Sequence, residues 1–241
     1  MLHHLLLTTT STTLPGGSGG GSSININLGN TLSKPSDSIL VIISLALLSL
    51  APSLLILMTG FTRIIIVFSL LRQALGLSTT PPNQVLSGLA LIISLFIMAP
   101  TLTDVNNHAV QPYLHGHLTA TQAYRVGEVP LRNWMLKQTG SQELALTTSV
   151  DGEHPAQPTD ASMAAVIPAF VLSQLKSGFL IGFIIFIPFL IIDLVVASVL
   201  MSMGVVMLPP TLVSLPFKLL LFVMVNGWIL VTHSLVVSFH P

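Results

Sequence analysis

The chain has no cysteine, which removes disulfides, thiolate nucleophiles, iron–sulfur clusters and cysteine-ligated zinc at once. Charge is almost as scarce: 7% of the 241 residues are Asp, Glu, Lys or Arg, against about 25% in an ordinary globular chain. The eight Lys+Arg balance the eight Asp+Glu, so the chain lacks the basic field that nucleic-acid binding needs and no DNA or RNA partner is expected. Neither His-Glu-x-x-His nor Gly-x-x-x-x-Gly-Lys occurs, and metalloprotease and P-loop ATPase mechanisms are left without a signature; Gly-x-Ser-x-Gly is met at Gly16 to Gly20, in a run of glycines that carries no serine-hydrolase signature beyond it. Ser173-Gln174-Leu175-Lys176 fits Ser-x-x-Lys but comes without its partner motifs and is read as chance.

What is present is apolar side chain, 51% of the residues, the composition of a membrane protein. Residues 1–37 stand apart. They are polar and rich in Gly, Ser and Thr, with Gly16, Gly17, Gly19, Gly20 and Gly21 clustered before Ser22 and Ser23, and they read as a flexible leader. A signal peptide needs a basic amino end and an apolar run of about seven or more. Leu5, Leu6 and Leu7 stand almost alone behind His3 and His4, so no standard signal peptide is read.

Membrane segments occupy 38–100. Ile39 to Met58 is mostly apolar, interrupted by Pro52, and about twenty such residues cross roughly 30 Å of hydrocarbon as a helix. A second block, Phe61 to Leu71, is bracketed by Arg63 and Arg72, which fall on opposite faces of one helix and argue against a plain lipid-facing span. Gly76, Ser78 and Pro81-Pro82-Asn83 break it, and Val85 to Ala99 resumes until Pro100, giving two antiparallel helices joined by a tight turn. Residues 101–163 hold nine of the sixteen charged residues and both tyrosines and read as an aqueous segment. Leu131, Trp134, Met135 and Leu136 predict a short amphipathic helix there, the rest reading as loop. In 164–241 the run Phe179 to Leu208 carries Pro188 and Asp193 and is predicted to bend or break near the proline before Pro209-Pro210 ends it. Phe217 to Phe239 makes the fourth span. Arg63 and Arg72 sit near a short loop without an acid, so that loop should face the cytoplasm and the aqueous segment the other side.

Few residues could carry chemistry. Asp193 is the one acid in its run, and a carboxylate there must be paired, hydrogen-bonded or protonated; an interhelical bond to Lys218, Arg63 or backbone is favoured over a proton relay. Arg63, Arg72, Lys176 and Lys218 lie at the ends of apolar runs, where snorkelling explains most of their placement, with Asp193 or a neighbouring subunit as the alternative partner. His115-Gly116-His117 with His108 resembles a metal cluster only superficially, because Asp104 is the one acid near it. No metal or cofactor is expected. Gly178 and Gly182 form Gly-x-x-x-Gly, and Ser198 and Ser202 repeat the small-residue spacing, a face for close helix packing, read as between subunits. Met201, Met203 and Met207 surround Gly204-Val205-Val206, a soft apolar element suited either to core filling or to a deformable constriction.

Phe61-Thr62-Arg63-Ile64-Ile65-Ile66-Val67, Leu70-Leu71-Arg72, Ala74-Leu75-Gly76 and Pro81-Pro82-Asn83-Gln84-Val85-Leu86 closely resemble the FliP family of flagellar type III export proteins. The likeness continues in order through Leu131-Arg132, Trp134-Met135-Leu136, Gln138-Thr139, Ser173 to Lys176, Ile187-Pro188-Phe189-Leu190-Ile191-Ile192-Asp193-Leu194-Val195 and Pro216-Phe217-Lys218-Leu219. It covers roughly residues 40–239, more weakly over 101–160. It implies a non-enzymatic core subunit of the export gate in the bacterial inner membrane, at the flagellar basal body, through which unfolded flagellar proteins pass. The implied partners are further copies of this chain, FliQ-like and FliR-like proteins and an FlhB-like protein. The resemblance also implies hairpin-like helices stacked in a closed assembly, with 101–163 periplasmic and the charges inside apolar runs acting as intersubunit contacts.

By the same resemblance Gly204 to Pro209 matches a methionine-rich gasket narrowing the pore, with Val205 and Val206 where methionines are usual and Met207 retained; Met201 and Met203 would support it. Gln174 stands where the family carries Glu, so amide hydrogen bonds must replace a charge pair there. Flagellar members usually begin with a signal peptide, which is a third departure. The expectation is an all-α membrane protein of about four long apolar helical segments, bent or hairpin-like, assembling as an oligomer. The homologous injectisome export protein is the nearest alternative. A proton-coupled small-solute transporter using Asp193 would need more intramembrane polar groups and visible repeat halves.

Overall fold

A computed structural model describes residues 45, 49, 53, 56–152, 155–205 and 207–239. The chain divides into two compact units, Met1–Ser49 and Leu50–Pro241. Of the first, Leu45 and Ser49 are described, both helical; the leader and most of the first apolar segment lie outside the described residues. The second unit is all helix and turn, with no strand among the described residues: α1 Phe61–Ala74, α2 Asn83–Val105, a π-helical turn Asn106–Val110, α3 Gln111–Leu114, α4 Ala120–Lys137, α5 Ser141–Asp151, a 3-10 turn Pro158–Asp160, α6 Met163–Ser202, α7 Pro210–Met224 and α8 Gly227–Val237.

Helix α1 is the centre. Ile64, Val67, Phe68 and Leu71 are all within 1% of complete burial, the i, i+3, i+4, i+7 stripe of a helix buried on one face. At fourteen residues it is about 21 Å long, short of the ~30 Å hydrocarbon, and it acts as a core element instead of a span. Helix α2 meets the core with Leu86, Ala90, Ile93 and Ile97, and Phe189 of α6, Phe222 of α7 and Val231 and Leu235 of α8 complete it. Met135, Leu144, Val166, Ala169 and Phe170 form a second cluster under α4 and α5, and Trp134 packs against both.

Left-handed residues punctuate the helices. Gly76 (φ +77°) follows α1, donating to the Gln73 carbonyl while Leu77 donates to that of Arg72, a Schellman closure that turns the chain into the α1–α2 hairpin. The same paired bonds recur at Gly116 after α3 and at Gly204 after α6.

Four expectations are corrected. Pro100 does not end α2, which runs on through the π turn to Leu114 as 32 continuous helical residues; Pro100 stands on an exposed face, and one missing N–H is tolerated in a long apolar helix. Pro188 does not break α6, an unbroken helix of 40 residues. The last apolar segment is broken, by 63°, between α7 and α8, because Asn226 is left-handed (φ 51°) and Gly227 lies so close under the Phe222 ring that a Cβ would stand 2.1 Å from it. Finally, 101–163 is mostly helical and not loop: α4 is capped by a reciprocal Thr119–Gln122 box and α5 follows it. Among the described residues two helices, Asn83–Leu114 and Met163–Ser202, are long and apolar enough to span, and the bent α7–α8 pair has the length and apolar character of a third when its two helices are taken together.

Candidate functional site

Arg63 projects from the first turn of α1 and is 4% exposed, too deep to snorkel. Its Nε donates to Gln174 Oε1 on α6 (2.9 Å), Nη1 to the Ser238 carbonyl (2.9 Å) and hydroxyl (3.1 Å), and Nη2 to Gln138 Oε1 at the end of α4 (3.2 Å). The guanidinium lies 4.0 Å above the centroid of the Phe239 ring. Gln138 Nε2 donates to the Phe239 carbonyl at 2.9 Å, and Gln174 Nε2 reaches the Gln138 carbonyl at 3.4 Å. A buried cation is costly unless its donors are satisfied; here neutral oxygens and an aromatic face do this without a carboxylate. The amide of Gln174, itself fully buried, takes the role that an acid there would have filled. Gln138, Ser238 and Phe239 carry no sequence signal for this role, since they lie 75 to 176 residues from Arg63 and meet it only in the fold.

The second polar cluster joins α6 to α7. Lys218 Nζ is 2.6 Å from Asp193 Oδ2, and the Ser214 hydroxyl donates to Asp193 Oδ1. Lys218 is 3% exposed and Ser214 fully buried, so neither cation nor carboxylate stands alone in an apolar environment. Both clusters are made of residues of this chain. Among the described residues the geometry supplies no chain of acids along which a proton could pass.

The remaining charges are simpler. Arg72 donates to Asn83 Oδ1 (2.6 Å) and the Pro81 carbonyl (3.3 Å), pinning the hairpin turn. Lys176 bonds Glu143 at 2.8 Å on the surface, and that bond, with Glu143 in the first turn of α5, holds the carboxyl below its usual range. Gly178 and Gly182 face α1: a Cβ at Gly178 would stand 3.2 Å from Ile66 and one at Gly182 2.3 Å from Leu70. Within the chain their close packing is with α1.

The loop after α6 is the most exposed apolar element. Met207 is 95% exposed, Met201 and Met203 are about 70% exposed, and Leu208 is half-exposed; Val205 is half-buried and Val206 lies outside the described residues. Gly204 (φ +75°) ends α6 and opens this loop. His115 and His117 flank the glycine that closes α3, their rings stacked 6.4 Å apart. Among the described residues no three His, Asp or Glu side chains gather around a common point.

A family model described as the FliP family matches residues 44–235. A flagellar biosynthetic protein FliP of Bacillus subtilis is 48% identical over 217 residues, covering 90% of this chain and 98% of its own length. Its counterpart in Aquifex aeolicus is 47% identical over 84% of this chain and 86% of its own, and that of Pectobacterium carotovorum 50% identical over 84% and 79%. The match takes in α1, α2, α4, α6, α7 and the Asp193–Lys218 pair, and of the Arg63 cluster Arg63, Gln138 and Gln174, and the chain belongs to the FliP family.

Proposed function

We propose that this chain is a core subunit of the flagellar type III protein export gate. It assembles in several copies with FliQ-like and FliR-like proteins beside an FlhB-like one, sits in the bacterial inner membrane and serves the passage of unfolded flagellar proteins. The observation that carries this is the family match across 44–235 with relatives named for flagellar biosynthesis. The geometry supports it in two ways. Polar groups inside apolar helices are tied to one another within the chain, which suits a scaffold more than a moving carrier. The loop from Met201 to Leu208 offers flexible thioethers and little polar surface, as a gasket needs if it is to close on itself and exclude water. In this reading the chain is non-catalytic and 101–163 lies on the periplasmic side.

The test is complementation. Expressed in a motile bacterium lacking its own FliP, the chain should restore swimming halos and flagellin secretion. Normal membrane insertion with no export would overturn the proposal.

A further inference from the structure

Five of the described cations are held by the chain: Arg132 by Glu128, Lys176 by Glu143, Lys218 by Asp193, and Arg63 and Arg72 by the hydrogen bonds above. The side chains of Arg125 and Lys137 have no partner among the described residues, and both line one groove of about 620 Å³ between α4 and the end of α2. Close approach builds this groove, since Gly127 lets α4 settle on the π turn, where a Cβ would stand 3.1 Å from that of Ala109. Between the two cations the floor is apolar, made by Pro130 and Trp134, and Asp104 is the one acid in the lining.

The acids leave the opposite surplus elsewhere. Between Lys137 and Lys176 the sequence has no Lys or Arg, but it has Glu143, Asp151, Glu153 and Asp160. Lys176 takes Glu143. Asp151 and Asp160 are exposed, and among the described residues they meet only uncharged donors, the Ser162 hydroxyl at 3.3 Å and the Gln157 backbone N–H at 3.2 Å. The Ser162 bond brings the end of α5 to within two residues of Asp160, so both carboxylates share one corner of the fold. Next to Asp160, Ala161 is fully buried in the cluster around Met135, and the turn Pro158–Asp160 packs on α4. At ~100° per residue, Met135 lies on the side of α4 roughly opposite to the groove residues. Basic groove and acidic corner therefore flank the same helix and do not meet within one chain.

We propose that the Arg125–Lys137 groove of one copy receives the Asp151–Asp160 corner of a second copy. Complementary surfaces at two different places on a molecule make a head-to-tail contact, which closes into a ring or winds into a helix and does not stop at a two-fold dimer. Opposite charge selects the partner surface and its register. Exposed ion pairs alone hold little; Trp134 and Pro130 in the floor and the exposed Pro158 on the corner add the apolar contact that shields them from water. Asp104 opposes the incoming carboxylates. The contact presupposes the several-copy assembly proposed above and names the surfaces through which copies of the chain meet.

The test is capture between two differently tagged full-length chains, co-expressed with the FliQ-like and FliR-like proteins and extracted in mild detergent. R125E/K137E should lower capture of one tag by the other about tenfold, and so should D151K/D160K, each with helical circular dichroism unchanged. Expressed together, the two variants should recover it, because each groove then faces the opposite charge on the other's corner; D104N should raise it. Wild-type capture in either folded variant, or no recovery on combining them, would overturn the contact and leave the export-gate reading standing. No capture between wild-type chains would remove both. Loss of a FliQ-like or FliR-like protein with capture between copies intact would assign the groove to that partner instead. If R125E/K137E does not fold, D151K/D160K decides, since both its residues are exposed: capture equal to wild type counts against the contact.

Discussion

Lys218, 3% exposed and 2.6 Å from Asp193, illustrates how one residue can be indispensable without adding net stability. Removing one partner of a buried pair strands the other charge and costs about 3–5 kcal/mol, whereas replacing both is often neutral. Lys218→Met should therefore lower the detergent melting temperature sharply, and Lys218→Met with Asp193→Asn should recover most of the loss. A double variant as unstable as the single one would mean that the pair does more than neutralise itself. The exposed pair Glu143–Lys176 behaves differently. The Glu143 carboxyl is held low chiefly by the Lys176 hydrogen bond, so its contribution is present above the ordinary carboxylate range and is lost as pH falls through the depressed folded-state value. Solvent screening keeps it small. Thermal melts of wild type and Glu143→Gln should differ at neutral pH and converge in acid.

At the scale of elements, Gly227 carries the clearest prediction. Since a Cβ there would meet the Phe222 ring at 2.1 Å, Gly227→Ala must open the α7–α8 corner; tryptophan fluorescence of Trp228, in edge contact with Phe222 at 5.5 Å between centroids, should report it. The corner was hidden in the sequence because Asn226 interrupts an otherwise apolar run, and one polar residue is a common sight in a continuous helix. The long helices were legible from apolar length alone, as was the α1–α2 hairpin from Gly76 and Pro81-Pro82-Asn83. Helix α5 was not: Thr147 and Thr148 turn their hydroxyls back onto the preceding turn, and the mixture of Ser, Thr and Val shows no apolar period. Prolines misled twice, at Pro100 and Pro188, because both stand on exposed faces and one missing N–H does not end a long apolar helix whose other bonds are made. Helix α6 is ~60 Å long, twice the hydrocarbon thickness, and its burial is lopsided. Ala165 to Gly182 supply eight of its nine buried residues and Phe189 the ninth, so its first half is anchored while its second presents apolar surface.

On the scale of the whole molecule, that surface continues over Phe179, Phe183, Leu194, Leu220 and Ile229, each more than half exposed. Lipid or other subunits must cover it. Co-expression with FliQ-like and FliR-like proteins and native mass spectrometry of the extracted particle should yield a multi-copy complex containing all three; a stable monomer that ignores both would remove the export-gate reading. The fork of Arg63 sets a further condition. Two of its four hydrogen bonds end on Ser238, 175 residues later. While the ribosome is still at work, α1 already carries its guanidinium but not the oxygens that will accept from it, so the fold cannot be secured in stages. It locks only after the turn carrying Ser238 has been made, which makes that turn a checkpoint: chains cut short before it would keep the bonds to Gln138 and Gln174 but leave Nη1 unpaired in the core and mark themselves for proteolysis.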